Sequence, residues 1–103
     1  MSRIEKLKEF LKQSPTDSFL QHALALEYAK LEDDSAARLL FEAILTRDPG
    51  YIGSYYHLAK LLERTGNTNE AIRCYENGME AAKNAGDQHA LGELRSAYEE
   101  LTF

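Results

Sequence analysis

The side chains in this sequence best suited to metal binding or nucleophilic chemistry are three histidines and one cysteine, and their spacing argues against both uses. Zinc sites usually fix two ligands on one turn, as in H-x-x-x-H or C-x-x-C. His22, His57 and His89 are far apart in the chain, and no such pair is present. No metal site is therefore expected, and the three read as partly exposed imidazoles. Cys74 has Arg73 beside it but no histidine within a turn, which describes a packed thiol better than an activated nucleophile. General acid–base work needs a carboxylate or histidine shifted by burial or a close partner, yet most Asp and Glu fall at helix caps or on solvent faces of the expected helices. The glycines are scattered at turns with no strand before them, so no phosphate-cradling loop is expected. Neither catalysis nor a cofactor is anticipated.

The elements that must position these residues follow from composition and punctuation. The 103 residues, 44% hydrophobic and 28% charged, suit one domain with a modest core. Seventeen acidic against twelve basic side chains give a net charge of −5, which would on average repel nucleic acid and anionic lipid surfaces. A single cysteine cannot form an internal disulfide, the opening MSRIEKLKEF interleaves charges with apolar residues, and no long apolar run occurs. A cytoplasmic protein that does not span a membrane is expected.

Val and Trp are absent, β-branched residues are few, and Ala, Leu, Glu and Lys dominate, so the fold class is all-α. Six helices are predicted. The first runs from Arg3 to Gln13 behind a Ser2/Glu5 capping box, with Ile4, Leu7, Phe10 and Leu11 on one side. Asp17 opens a second that reaches about Leu31, and Glu32, Asp33 and Asp34 interrupt it and cap a third carrying Ala37, Leu40, Phe41 and Ile44. Pro49 and Gly50 end that helix. A fourth spans about Ile52 to Arg64, Gly66 stops it, and a fifth runs from Asn67 or Thr68 to near Ala85. After Gly86 and Asp87, Leu91, Leu94, Tyr98 and Leu101 mark a sixth.

Sliding the chain by 34 residues aligns Pro15 with Pro49, Leu24 with Leu58, Ala25 with Ala59, Tyr28 with Leu62, Ala37 with Ala71 and Phe41 with Tyr75. That period means one helical hairpin made twice, with alanines where helices cross closely and aromatic residues wedged between successive hairpins. The segment Ser18 to Lys83 resembles two tetratricopeptide repeats, whose pattern of large, Leu, small, aromatic, then Ala, aromatic and Pro it follows. Repeat one departs from the pattern at Gln21, in place of a bulky aromatic, which implies a looser first interface. Repeat two has Lys83 in place of the closing proline, which implies that the fifth helix overruns its usual end. A further spacing of 36 takes Tyr55, Leu58 and Leu62 to Leu91, Leu94 and Tyr98. The resemblance thus implies a right-handed α-solenoid of antiparallel hairpins forming one domain over 1–103: a half-repeat helix at 1–14, repeats at 16–49 and 50–85, and a capping helix at 87–101.

In proteins of this kind the first helices of successive repeats line a concave groove that receives a peptide or a partner helix. By sequence place, the resemblance puts Phe19, His22, Leu26 and Lys30 of repeat one, Tyr56, Lys60 and Arg64 of repeat two, and His89 of the last helix on that groove. The three- and four-residue spacing of each set independently gives it one helical face. An ordinary mixed surface is the alternative. A clamp for a C-terminal carboxylate is disfavoured, because its basic and amide places hold His22, Leu26, His57, His89 and Glu93. The expected function is a non-catalytic adaptor or scaffold that binds a protein or peptide. The alternative is a structural unit that self-assembles, as a weak homodimer or larger, through its end helices.

Overall fold

The computed structural model describes residues 1–103 and contains six helices and no strand: α1 (Arg3–Gln13), α2 (Ser18–Lys30), α3 (Asp34–Arg47), α4 (Gly53–Arg64), α5 (Thr68–Ala85) and α6 (Gln88–Thr102). Four of them begin with local capping chemistry. Ser2 Oγ accepts from the Glu5 amide at 3.1 Å while Glu5 Oε1 accepts from the Ser2 amide at 3.3 Å, completing the capping box. Asp17, Asp33 and Asp87 accept from the amides of Leu20, Ala36 and Ala90. By contrast, α4 and α5 start without a side-chain cap, and Asn67 instead donates to Thr65 Oγ1 at 3.0 Å.

Each helix packs chiefly on its sequence neighbours, and α2 also touches α4. The result is an extended body of 43 × 29 × 20 Å, the shape of hairpins stacked side by side. Ala25, Ala37, Ala59 and Ala71 have no solvent exposure, nor do Phe41 and Tyr75, so small residues sit at the crossings and large ones fill the spaces beside them. Tyr55 and Gly78 show how closely the two helices of the second hairpin approach. A Cβ on Gly78 would lie 2.7 Å from Tyr55 Cβ. The main core runs through α2 to α6, whereas α1 rests on a smaller cluster of Leu7, Ala23 and Leu24. Gln21 contributes no aromatic packing at that end. It donates to the Pro15 carbonyl at 3.2 Å and accepts from Arg47 at 2.8 Å.

The fifth helix extends over 18 residues to Ala85, against 14 in α3, and Gly86 ends it in the left-handed region. Two local details go beyond the sequence reading. Phe10 is 58% exposed, since α1 has no helix on its far side to cover it. Glu32 takes a positive φ of 58°, the conformation that Gly66 supplies 34 residues later, so the α2–α3 turn forms without glycine. No helix is long and apolar enough to cross a membrane.

Candidate functional site

The face made by α2, α4 and α6 carries two hollows of different chemistry. The first, about 780 Å³, is lined by Phe19, His22, Ala23, Leu26, Glu27, Ala29 and Lys30 of α2, with His57 from α4 and Arg3 from α1. The helical period brings Phe19, Leu26 and Lys30 to one side of α2, with the buried Ala23 at their base, whereas Leu24 and Ala25 point into the core. The second, about 550 Å³, lies between α4 and α6 and is lined by Tyr56, Lys60, Gln88, His89, Gly92, Glu93, Ser96, Ala97 and Glu100.

His22 stands at the inner wall of the first hollow. Its Nδ1 shares a 2.8 Å hydrogen bond with Oγ of Ser54, a fully buried residue in the first turn of α4. The ring meets Phe41, Tyr51 and His57 at centroid distances of 5.6, 5.6 and 5.4 Å, and His57 stacks at 9° to Phe41. Burial lowers the pKa of His22 below its ordinary value of 6.5, and the neighbouring His57 lowers it further. His57 is exposed to solvent as a residue, but desolvation of its ring, against which His22, Phe41 and Tyr56 pack, lowers its pKa too. Both imidazoles are neutral at pH 7, so the wall between them is uncharged.

The rims are basic in composition but locally balanced. Lys30 Nζ lies 3.0 Å and Arg3 Nε 3.4 Å from the same Glu27 oxygen, and the Lys30 hydrogen bond holds the Glu27 carboxyl below its usual range. Lys60 sits 5.7 Å over the Tyr56 ring and 3.7 Å from Glu63. His89 Nε2 is 3.2 Å from Glu93.

Of the residues placed on the groove from sequence, Phe19, His22, Leu26 and Lys30 come together in the first hollow, and Tyr56, Lys60 and His89 in the second. Arg64 joins neither. Its guanidinium is 2.8 Å from Asp34 at the start of α3 and ties the two hairpins together. His57 lines the first hollow beside His22, while His89 lies apart from both. Tyr51 and Ser54, which set the position of His22, carried no sequence signal, because their role depends on contacts between one hairpin and the next. Cys74 is buried under α4, where its thiol donates to the Tyr55 carbonyl at 3.4 Å and desolvation raises its pKa to about 12. It is a protonated core side chain.

The sequence profile of the tetratricopeptide repeat matches residues 30–98. A tetratricopeptide repeat domain protein from Salinibacter ruber is 44% identical, with a TM-score of 0.81 over 84% of this chain and 88% of that one. A protein from Bordetella parapertussis is 30% identical, with a TM-score of 0.85 over 99% of this chain and 89% of its own. The TPR2B domain of yeast Sti1, solved as a complex with pHsp70, superposes with a TM-score of 0.89 over 96% of this chain and 79% of that one; at 16% identity the likeness is one of fold. A search of curated proteins finds no match.

Proposed function

The chain belongs to the tetratricopeptide repeat family, and from that premise we propose that it is a non-catalytic interaction module holding a segment of a partner polypeptide along α2, α4 and α6. The observation that carries this reading is the pair of hollows to which α4 contributes neighbouring residues, a mainly apolar one against α2 with His57 and a polar one against α6 with Tyr56. An apolar side chain of the partner would enter between Phe19, Leu26 and His57, and its backbone and polar groups would lie along Tyr56, Lys60, Gln88 and His89. Burying apolar surface in the first hollow would supply about 25 cal/mol per Å² before the costs of association. Because Lys30, Arg3 and Lys60 already have carboxylates, charge would set orientation more than affinity. The yeast fold relative was solved with pHsp70, which supports a polypeptide ligand for this architecture; the places of a carboxylate clamp hold His22, Leu26, His57, His89 and Glu93 here, which favours a ligand other than a C-terminal carboxylate tail. We place the protein's work in the cytoplasm as an adaptor or scaffold.

The test pairs two double variants with the parent in affinity capture from the native cell. Phe19→Ala with Leu26→Ala should empty the first hollow, and Tyr56→Ala with Lys60→Ala should empty the second. Both are expected to lose the same captured proteins at least tenfold while keeping the helical circular-dichroism spectrum. Unchanged capture by both folded variants would refute binding at this face.

A further inference from the structure

Gly78 and Gly92 both lie inside helices, and the fold accounts for only the first. After proline, glycine is the residue least suited to a helix interior. Gly78 is required by packing, because a Cβ there would lie 2.7 Å from Tyr55 Cβ. Gly92 of α6 has no such reason. A Cβ there would meet nothing within 4 Å, and the residue is exposed on the hollow between α4 and α6. Where neither a turn nor packing demands glycine, its remaining use is to let another molecule come close to the backbone.

The repeat register shows what is missing from this place. In steps of 34 and 36 residues, His22 and Tyr56 correspond to Gly92, and Leu26 and Lys60 to Ser96. Bulky side chains fill both places on α2 and α4, whereas α6 leaves both open, and a trough results beside Tyr56. Four residues further on, the charge reverses from Lys30 and Arg64 to Glu100. The charges around the trough are also unevenly matched. Lys60 lies 3.7 Å from Glu63, which stands outside the hollow. Glu93 has only the His89 imidazole, 3.2 Å away, and Glu100 makes no ion pair. Two carboxylates without a fixed cation thus border a trough floored by bare backbone and a hydroxyl.

We infer that this hollow takes a lysine or arginine side chain of the partner segment, its aliphatic stem lying over Gly92 beside Tyr56 and its charged head at Glu93 or Glu100. The inference rests on the reading that α2, α4 and α6 hold a partner polypeptide, and it specifies the chemistry of one contact. One helix spacing, about 8–10 Å, separates the two hollows, and an extended chain advances about 3.3 Å per residue. The basic residue therefore stands about two to four places from the apolar residue that enters the first hollow.

Selection of a phage-displayed library of short random linear peptides on the whole chain tests this. Enriched peptides are expected to carry Lys or Arg at that spacing from an apolar residue. The strongest of them, made synthetically, should bind roughly tenfold or more weakly to Gly92→Leu, and likewise to Glu93→Gln with Glu100→Gln. Gly92→Leu should raise the urea midpoint at the same time, because leucine suits a helix better than glycine, which separates lost binding from lost folding. Glu93→Lys with Glu100→Lys should enrich Asp and Glu in place of Lys and Arg. Enriched peptides that share an apolar residue but no basic one overturn the inference and leave the groove reading standing if Phe19→Ala with Leu26→Ala abolishes their binding. Basic peptides that bind the Gly92 and glutamate variants as tightly as the parent sit elsewhere and overturn it too. A library that yields no binder also overturns it, and the capture experiment then decides the groove reading alone.

Discussion

His22 and His57 face each other across the seam between the two hairpins, and both are held neutral by their surroundings. A group whose proton affinity is depressed in the folded state contributes stability that is complete above its unfolded value, here near 6.5, and is lost as pH falls towards its folded value. Thermal melts should therefore show the melting temperature dropping as pH is lowered from about 7 to about 5, the range in which imidazoles titrate. His57→Gln should flatten that drop while changing stability at neutral pH little. An equal drop in the variant would assign the effect to other groups. At Gly78 the expectation is set by two opposing magnitudes. Alanine gains roughly 1 kcal/mol of helix propensity over glycine, but the new methyl would sit 2.7 Å from Tyr55 Cβ and 3.2 Å from Leu94 Cδ1. The first neighbour is anchored close to the backbone and cannot swing away, so strain of about 1–3 kcal/mol prevails. Gly78→Ala is expected to lower the urea midpoint, and a raised midpoint would show that the hairpin can open at that crossing.

At the scale of elements, the turn between α2 and α3 holds Glu32 at a φ of 58°, with the Asp33 amide bonded back to the Tyr28 carbonyl at 3.0 Å. The α4–α5 turn makes the matching bond, Asn67 amide to Leu62 carbonyl at 2.8 Å, but with Gly66 in the left-handed place. A non-glycine residue there costs about 1 kcal/mol, partly offset by glycine's greater freedom in the unfolded chain. Glu32→Gly should thus raise stability by roughly 0.5–1 kcal/mol, and Gly66→Ala should lower it by a similar amount, both read by denaturant unfolding. These two turns also mark where sequence reasoning works. Ser2, Asp17 and Asp33 could be read as caps because a cap needs only the next three residues, and the long α5 followed from the lack of proline near Lys83. The left-handed Glu32 was hidden, since the turn is imposed by the packing of two helices and not by the residue's own preference. Hidden for the same reason were the Arg64–Asp34 tie, which takes one groove candidate out of the hollows, and the His22–Ser54 bond. Each depends on rotamers chosen across a hairpin.

For the molecule as a whole, helices that touch only near neighbours make stability close to a sum of local interfaces. The sum is uneven. Phe41 and Tyr75 lie without exposure in the cluster that joins α2 through α6, while Leu7 belongs to a cluster of three buried residues that holds α1 alone. The Arg3–Glu27 pair adds little there, since Arg3 is 64% exposed and its attraction is screened by solvent. Truncating Leu7 to alanine should cost about 2–3 kcal/mol at most, and the loss should fall on α1, which can detach without opening the rest. Truncating Phe41 should cost about 3–5 kcal/mol and unfold the whole chain together. Amide hydrogen exchange separates the two outcomes. In Leu7→Ala the amides of α1 should exchange at rates near those of an open chain while α4 and α5 keep most of their protection. In Phe41→Ala protection should fall in every helix by a similar factor. If Leu7→Ala instead lowers protection across α4 and α5 as far as in α1, the six helices open as one cooperative unit and the nearest-neighbour account of the solenoid fails.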